Sequence, residues 1–475
     1  MQAPCDLSDC TATELLRLYR HGAASPVEAT RAVLARITAL DPEINAFRLV
    51  DEAAALNDAA ASEARWKAGQ PKGLLDGVPV SVKDLILTRG SSTLRGSRTV
   101  DPEQAWNDDA PSVARLRQHG AVLLGKTTTP EFGCKGTTDS YLSGITRNPW
   151  NLAHTPGGSS GGAAAAVAAR MGPLALGTDG AGSVRIPSAF CGIVGLKPSF
   201  GRVPAWPASP FGTVAHIGPH ARTVEDAALL LTAIAEPDVR DWYSLQYDAR
   251  DYRVGLDDGV RGLRIAYSPK LAHAGRGADV HPEVAEAVAR AASTLAHLGA
   301  MVDEVDPGFE DPIELICALW FLGAAAVLSK MSDAQRALTD PFLRWQAEQG
   351  VKLSALAIVD VNLRRAELGV HMKRFHQRYD LLLTPGVAVP AMKAEATDAW
   401  KEGRIEDFLG WTPFSYPFNL TQQPAIVVPC GLTRDGLPVA AQLVGPMFGD
   451  ALVLRGGRAL QGALPAMPCP AAAKG

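Results

Sequence analysis

The sequence is poor in the features that mark a membrane, secreted or nucleic-acid-binding protein. It has no run of about 20 predominantly apolar residues, the length a membrane-spanning helix needs. The apolar stretch Leu319–Leu328 ends at Ser329-Lys330, and the Ala-rich stretch from Gly161 stops at Arg170. Neither sign of charge dominates: 46 basic and 50 acidic side chains leave −4 over 475 residues. There is thus no basic domain for a phosphate backbone, and no nucleic-acid partner is expected. Seven cysteines, at 5, 10, 134, 191, 317, 430 and 469, are scattered and odd in number. That argues against a disulfide framework and against the close Cys pairs of a structural zinc site. The N-terminus, Met1-Gln2-Ala3-Pro4-Cys5-Asp6, has no basic segment followed by an apolar core, so a cytoplasmic location is expected. Neither glycine-rich segment carries the Gly-Lys-Ser/Thr of a Walker loop or a G-x-G-x-x-G fingerprint, and no His-Glu-x-x-His occurs. No metal and no cofactor are expected.

What is present is a foldable composition, 47% hydrophobic and 20% charged. The first 70 residues read as helices. Thr11 with Glu14, and Ser25 with Glu28 behind Pro26, are capping-box spacings; the second helix is expected to end near Leu40. Val78, Val80 and Val82 alternate as in a strand. Apolar runs at Ala121–Leu124, Leu174–Leu176, Cys191–Leu196, Leu381–Leu383, Ala425–Val428 and Val439–Leu443 read as further strands. Leu263–Tyr267 and Met301–Val305 bracket a helix from about Pro282 to Leu298, a strand–helix–strand unit, and 236–262 reads as a polar surface excursion. Strands and helices alternate, so the expected class is α/β, with a mixed, largely parallel central sheet covered by helices on both faces. Without repeats or a Gly/Ser linker, one domain is expected over 1–475. Its segments are an N-terminal helical part (1–70), a catalytic core (72–235), a pocket-lining insertion region (236–380), C-terminal strands and helix (381–465) and a loose tail (466–475).

Three segments carry polar residues that packing alone would not demand. In Val80-Ser81-Val82-Lys83-Asp84 a lysine ends an apolar strand. If buried, its ammonium form is disfavoured and it becomes a base near neutral pH. In Pro156-Gly157-Gly158-Ser159-Ser160-Gly161-Gly162 four glycines surround two serines ahead of an Ala-rich helix, which lets the backbone approach a partner closely. In Gly177-Thr178-Asp179-Gly180-Ala181-Gly182-Ser183-Val184-Arg185 a run of small residues leads into a serine. Successive N–H groups of such a run build an oxyanion hole, here from Gly180, Ala181 and Gly182, and Asp179 and Arg185 are placed to brace the loop as an ion pair. Gly158-Ser159-Ser160-Gly161-Gly162 also fits the G-x-S-x-G nucleophile elbow, which makes an α/β-hydrolase-type esterase using Ser160 an alternative. That chemistry needs a downstream histidine, and His273, His281, His371 and His376 stand in loops or a basic helical segment.

The block from Gly77 to Gly201 resembles the amidase signature family of serine hydrolases. Gly77–Asp84 is similar to its lysine motif, Pro156–Gly162 to its Gly/Ser motif and Gly177–Pro187 to its nucleophile motif. The resemblance resumes at Tyr416–Ala425 and Gly436–Gly445. It implies a Ser–cis-Ser–Lys triad with Ser183 as nucleophile, Ser159 as bridging serine on a cis peptide bond and Lys83 as base; Ser160 is the second choice for the bridge. It also implies hydrolysis of the C–N bond of small aliphatic or aromatic amides, extending to anilides, esters or carbamates, through an acyl-enzyme. The main alternative within the family is the glutaminase subunit of a tRNA-dependent amidotransferase. Gly133 and Cys134 correspond to a family loop near the substrate. Leu315, Cys317, Trp320, Phe321 and Trp411 are candidates for an apolar acyl pocket. The expected partner is a small-molecule amide, with no membrane association and with a homodimer as a compatible assembly. Where the family has two glycines before the nucleophile, this chain has Ala181-Gly182. Ala181 then fits only with a negative φ.

Overall fold

The structure is a computed structural model that describes residues 6–271, 280–395 and 409–473; Cys5, His273 and the last two residues of the tail lie outside it. Among the described residues one sheet has eleven strands: β1 (Phe47–Val50), β2 (Pro79–Lys83), β3 (Val122–Thr127), β6 (Leu174–Asp179), β7 (Val194–Lys197), β8 (His216–Ala221), β9 (Arg264–Tyr267), β10 (Met301–Glu304), β11 (Leu381–Pro385), β12 (Ala425–Leu432) and β13 (Pro438–Val444). β4 (Asp139–Ser140) and β5 (Gly144–Ile145) form a separate antiparallel pair. The order is β1-β3-β2-β6-β8-β7-β12-β13-β11-β9-β10. The sheet is mixed. Parallel pairing is gathered in two blocks, β3-β2-β6 and β11-β9-β10, and the strands between them run antiparallel. The α/β class is the expected one.

Both capping boxes form, with Thr11 accepting from the Glu14 N–H and Ser25 from the Glu28 N–H. The strand–helix–strand unit forms too, with β9 and β10 parallel and the helix Pro282–His297 between them in sequence. Three local readings differ. The second helix continues through Pro42 to Ile44, because its real stop is Asn45 at φ 57 and the Asp41 carboxylate that accepts the Ala46 N–H at 2.7 Å. β1 stands inside the region read as helical; its four residues have no alternation to signal it, and antiparallel pairing with β3 makes it a strand. Cys191 ends a helix (Arg185–Cys191) instead of starting a strand; Gly192 at φ +66 turns the chain, and the strand begins at Val194. A short apolar run does not tell a buried helix from a buried strand by periodicity alone.

The main core takes Val80 and Val82 of β2, Leu174 and Leu176 of β6, and Val194 and Leu196 of β7. Each such side chain contributes roughly 1.5–3 kcal/mol on burial, which anchors the strand ends that carry the polar residues. No helix among the described residues is long and apolar enough to cross a membrane.

Candidate active site

Lys83 ends β2, a strand buried at all five positions. Alternation sends Val80 and Val82 into the main core and turns Ser81 and Lys83 to the other face. There Lys83 is fully buried, and its Nζ lies 2.7 Å from Ser159 Oγ, 2.8 Å from Thr178 Oγ1 and 2.9 Å from Ser160 Oγ. Burial pushes its pKa well below the ordinary lysine value, and the negative charge of Asp179 pulls the other way. An uncharged amine has two N–H donors and one lone pair, so one of the three hydroxyls must donate to it. Ser160 Oγ already donates to the Thr178 carbonyl at 3.1 Å. Ser159 and Thr178 are the oxygens left to direct a proton at Lys83.

The Gly158–Ser159 peptide is cis. A Cβ on Gly158 would stand 2.6 Å from the Thr137 carbonyl oxygen, so the loop is pressed against backbone that no side chain would clear. Ser160 is fully buried; besides its contact to Lys83, its Oγ accepts the Thr178 N–H at 3.2 Å, and its own N–H donates to the Ser183 carbonyl at 3.2 Å. It ties the two loops together. No imidazole hydrogen-bonds Ser160 or Ser183 among the described residues: His371 bonds the Pro307 carbonyl, His376 the Tyr379 carbonyl, and His281 caps its own helix. The elbow reading of Ser160 therefore has neither an exposed hydroxyl nor the histidine base it requires.

Ser183 follows β6 on a loop that Asp179 organises. The Asp179 carboxylate accepts the Gly182 N–H at 2.8 Å, the Val184 N–H at 3.2 Å, Arg185 Nε at 3.0 Å and Arg185 Nη2 at 3.1 Å. Arg185 also donates to Gln442 Oε1 at 2.8 Å and Asn419 Oδ1 at 2.6 Å. Burial raises the Asp179 pKa, but the charge and hydrogen bonds of Arg185 outweigh it and hold the carboxyl below its ordinary value. The anticipated ion pair is thus present and fully buried. Arg185→Met would leave that carboxylate buried without its partner. A loss of about 3–5 kcal/mol is expected, readable by equilibrium urea unfolding; a loss below about 1 kcal/mol would contradict it.

Gly182 takes the left-handed backbone, with φ +122, and Ser415 Oγ stands 2.6 Å from where its Cβ would be. Ala181 is outside the left-handed region, which is why alanine is tolerated there. The Gly182 N–H is committed to Asp179, contrary to its expected place in the oxyanion hole. The N–H groups of Gly180, Ala181 and Ser183 make no hydrogen bond among the described residues.

Ser159, Thr178, Gly180, Ser183 and Gly133 all line one cavity of about 630 Å³. Gly133 stands beside the bridge, with Ser159 Oγ 3.2 Å from the position of an added Cβ. Of the apolar candidates Trp320 is in the wall, stacked on Phe211 at 4.2 Å, with Phe132, Trp206 and Ile217 nearby in the lining. Leu315, Cys317 and Phe321 pack in the core behind Trp320 instead, and Trp411 stacks on Phe190 at 5.8 Å. Cys134 is buried in a separate apolar cluster, where its carbonyl accepts from Trp320 Nε1 and Gln346 Nε2. Thr178, Asn419 and Gln442 were not singled out from the sequence. Thr178 is brought to the site by strand register: β2 and β6 pair in parallel with Val82 opposite Leu176, which carries Lys83 to the level of Gly177-Thr178.

The family model that matches the chain is Amidase, over residues 28–454. The chain is 38% identical over 451 residues to an acylamidase of Rhodococcus erythropolis, covering 94% of this chain and 93% of that protein. It is also 38% identical over 496 residues to a glutamyl-tRNA(Gln) amidotransferase subunit of Myxococcus xanthus, covering 96% and 97%. A solved bacterial aryl acylamidase of the amidase signature family superposes with a TM-score of 0.90 at 32% identity, over 98% of each chain. With the buried lysine, two serine loops and a shared cavity already in place, these likenesses settle the assignment: the chain belongs to the amidase signature family and is an amidohydrolase.

Proposed function

We propose that the protein is a self-sufficient acylamidase that cleaves the C–N bond of small aliphatic or aromatic amides through an acyl-enzyme on Ser183. The observation that carries the reading is the fully buried Lys83 amine within hydrogen-bond distance of Ser159, on the cavity that Ser183 also faces. In this reading neutral Lys83 accepts the Ser159 proton, Ser159 accepts the Ser183 proton, and Ser183 Oγ attacks the amide carbonyl. The developing oxyanion is received by the N–H groups of Gly180, Ala181 and Ser183, which the loop leaves free. The relay returns one proton to the departing amine. Water then forms the new acyl–oxygen bond and releases Ser183.

The wall favours an acyl compound over glutamine. Its apolar part is Leu85, Ile86, Phe132, Trp206, Phe211 and Trp320, and the lining contains, among the described residues, no aspartate or glutamate. Glutamine brings an α-ammonium group, and an ammonium taken out of water needs an anionic partner. In this reading the likeness to an amidotransferase reflects a shared chemistry, and the wall offers a glutamine ammonium no anionic partner among the described residues. The purified single chain is expected to hydrolyse an aryl amide such as 4-nitroacetanilide, read by release of the aniline, and to leave glutamine intact in an ammonia assay. Turnover of glutamine alone would overturn the proposal.

A further inference from the structure

Arg95 stands out in the cavity wall. Its φ of +58 places it in the left-handed region, which costs an L-residue other than glycine roughly 1–2 kcal/mol. Such conformations persist where the surrounding structure holds them, often at ligand sites. Here the Arg95 N–H donates to the Asp84 carbonyl at 2.9 Å and its carbonyl accepts the Phe132 N–H at 2.8 Å, which fixes the backbone on both sides. Arg95 lines the cavity, and its side chain makes no hydrogen bond or ion pair among the described residues.

Other deeply set arginines of this protein behave differently. Arg185 is saturated by Asp179, Asn419 and Gln442. Arg48 grips Asp84 with Nε at 3.2 Å and Nη2 at 3.0 Å. The Asp84 carboxylate, whose charge acts on Arg95, is thereby already engaged by another arginine. Arg95 is half-buried, and that burial lowers its pKa. Leaving a cation half out of water without an anion is costly. Among the described residues the lining offers no carboxylate to relieve it, and its other cation, Lys330, stands exposed at the rim.

We infer that Arg95 is the receptor for a carboxylate on the substrate, so that the amides this cavity takes carry an anionic group besides the scissile bond. A guanidinium offers a planar fork that matches a carboxylate bidentately. With no acidic side chain in the lining among the described residues, a companion ammonium finds no partner there, so the class is an N-acyl aminobenzoate or an amide of a simple ω-carboxylate rather than an α-amino acid amide. This rests on the acylamidase reading and adds the charge preference to it.

The test compares 3- and 4-acetamidobenzoate with 3- and 4-methylacetanilide, which replace the carboxylate by methyl. For the wild-type chain at least one carboxylate isomer is expected to exceed its methyl partner in kcat/KM by about tenfold or more. That ratio should fall to about one in Arg95→Gln. Arg95→Gly, which relaxes the left-handed backbone and so guards against misfolding, should lose it equally. A ratio near one in the wild type, or one that survives both substitutions, overturns the inference. Calorimetric binding of the same compounds to Ser183→Ala gives a second reading without turnover. If no amide is cleaved by the wild type, the acylamidase reading fails, and the binding ratio alone decides for or against Arg95.

Discussion

Ser183→Ala is expected to lower kcat for amide hydrolysis by roughly 10⁴-fold or more, with the fold intact. Removing the nucleophile of a serine hydrolase removes the acyl-enzyme route entirely, and what remains comes from binding and the oxyanion donors. Both of those survive here. The proposed oxyanion donors are backbone N–H groups, and Asp179 holds the loop through Gly182, Val184 and Arg185, none of which depends on the Ser183 hydroxyl. The Ser160 N–H still has the carbonyl of residue 183 to bond. The thermal midpoint should therefore change little, and a discontinuous aniline assay on the wild type and the variant reads the loss directly. Activity within tenfold of wild type would remove Ser183 from the mechanism. The other loop serine serves as a contrast. Ser160→Ala removes a hydroxyl that joins Lys83 to both backbone groups of Thr178, so its effect falls on stability as well as rate.

The legible part of this site was the part written in local segments. Lys83 at the end of a valine alternation, two serines among four glycines, and Ser183 after a run of small residues are each contained within a dozen positions, and the family resemblance joined them in order. Thr178 escaped because its meaning depends on the register between β2 and β6. Asn419 and Gln442 escaped because they reach Arg185 from more than 230 residues away in the chain. The commitment of the Gly182 N–H to Asp179 was invisible for a related reason: a side chain had first to fold back over its own loop. The pocket was misjudged where apolar residues were counted without a direction. Along the helix Ile313–Leu328, Trp320 faces the cavity while Leu315, Cys317 and Phe321 face the core. β1 and β8 were missed as strands because four to six residues carry too little periodicity to announce them.

Lys83→Met is expected to lower kcat/KM by about 10³-fold or more, since a general base and its relay contribute on the order of 10²–10⁴-fold and Ser159 would be left without an acceptor. The pH dependence makes the assignment specific. In the proposed relay Lys83 acts only when uncharged, so wild-type kcat/KM should rise with pH through the lowered native pKa and level off above it. The methionine variant should lack that rise. Stability carries the same signature with a defined sign. The native pKa lies well below the ordinary value because of burial, whereas the unfolded chain titrates near 10.4. Between those two values the unfolded state holds the proton and the native state does not, so stability contributed by this group increases with pH and the contribution is lost as pH falls toward the native pKa. The limiting slope is about 1.4 kcal/mol per pH unit. Urea unfolding of wild type and Lys83→Met from pH 7 to 9 isolates it, because groups elsewhere cancel in the difference. The wild type should gain on the variant as pH rises. A flat difference would mean that Lys83 keeps an ordinary pKa inside the fold, and the hydroxyls around it would then surround a permanent ammonium with no lone pair to accept the Ser159 proton.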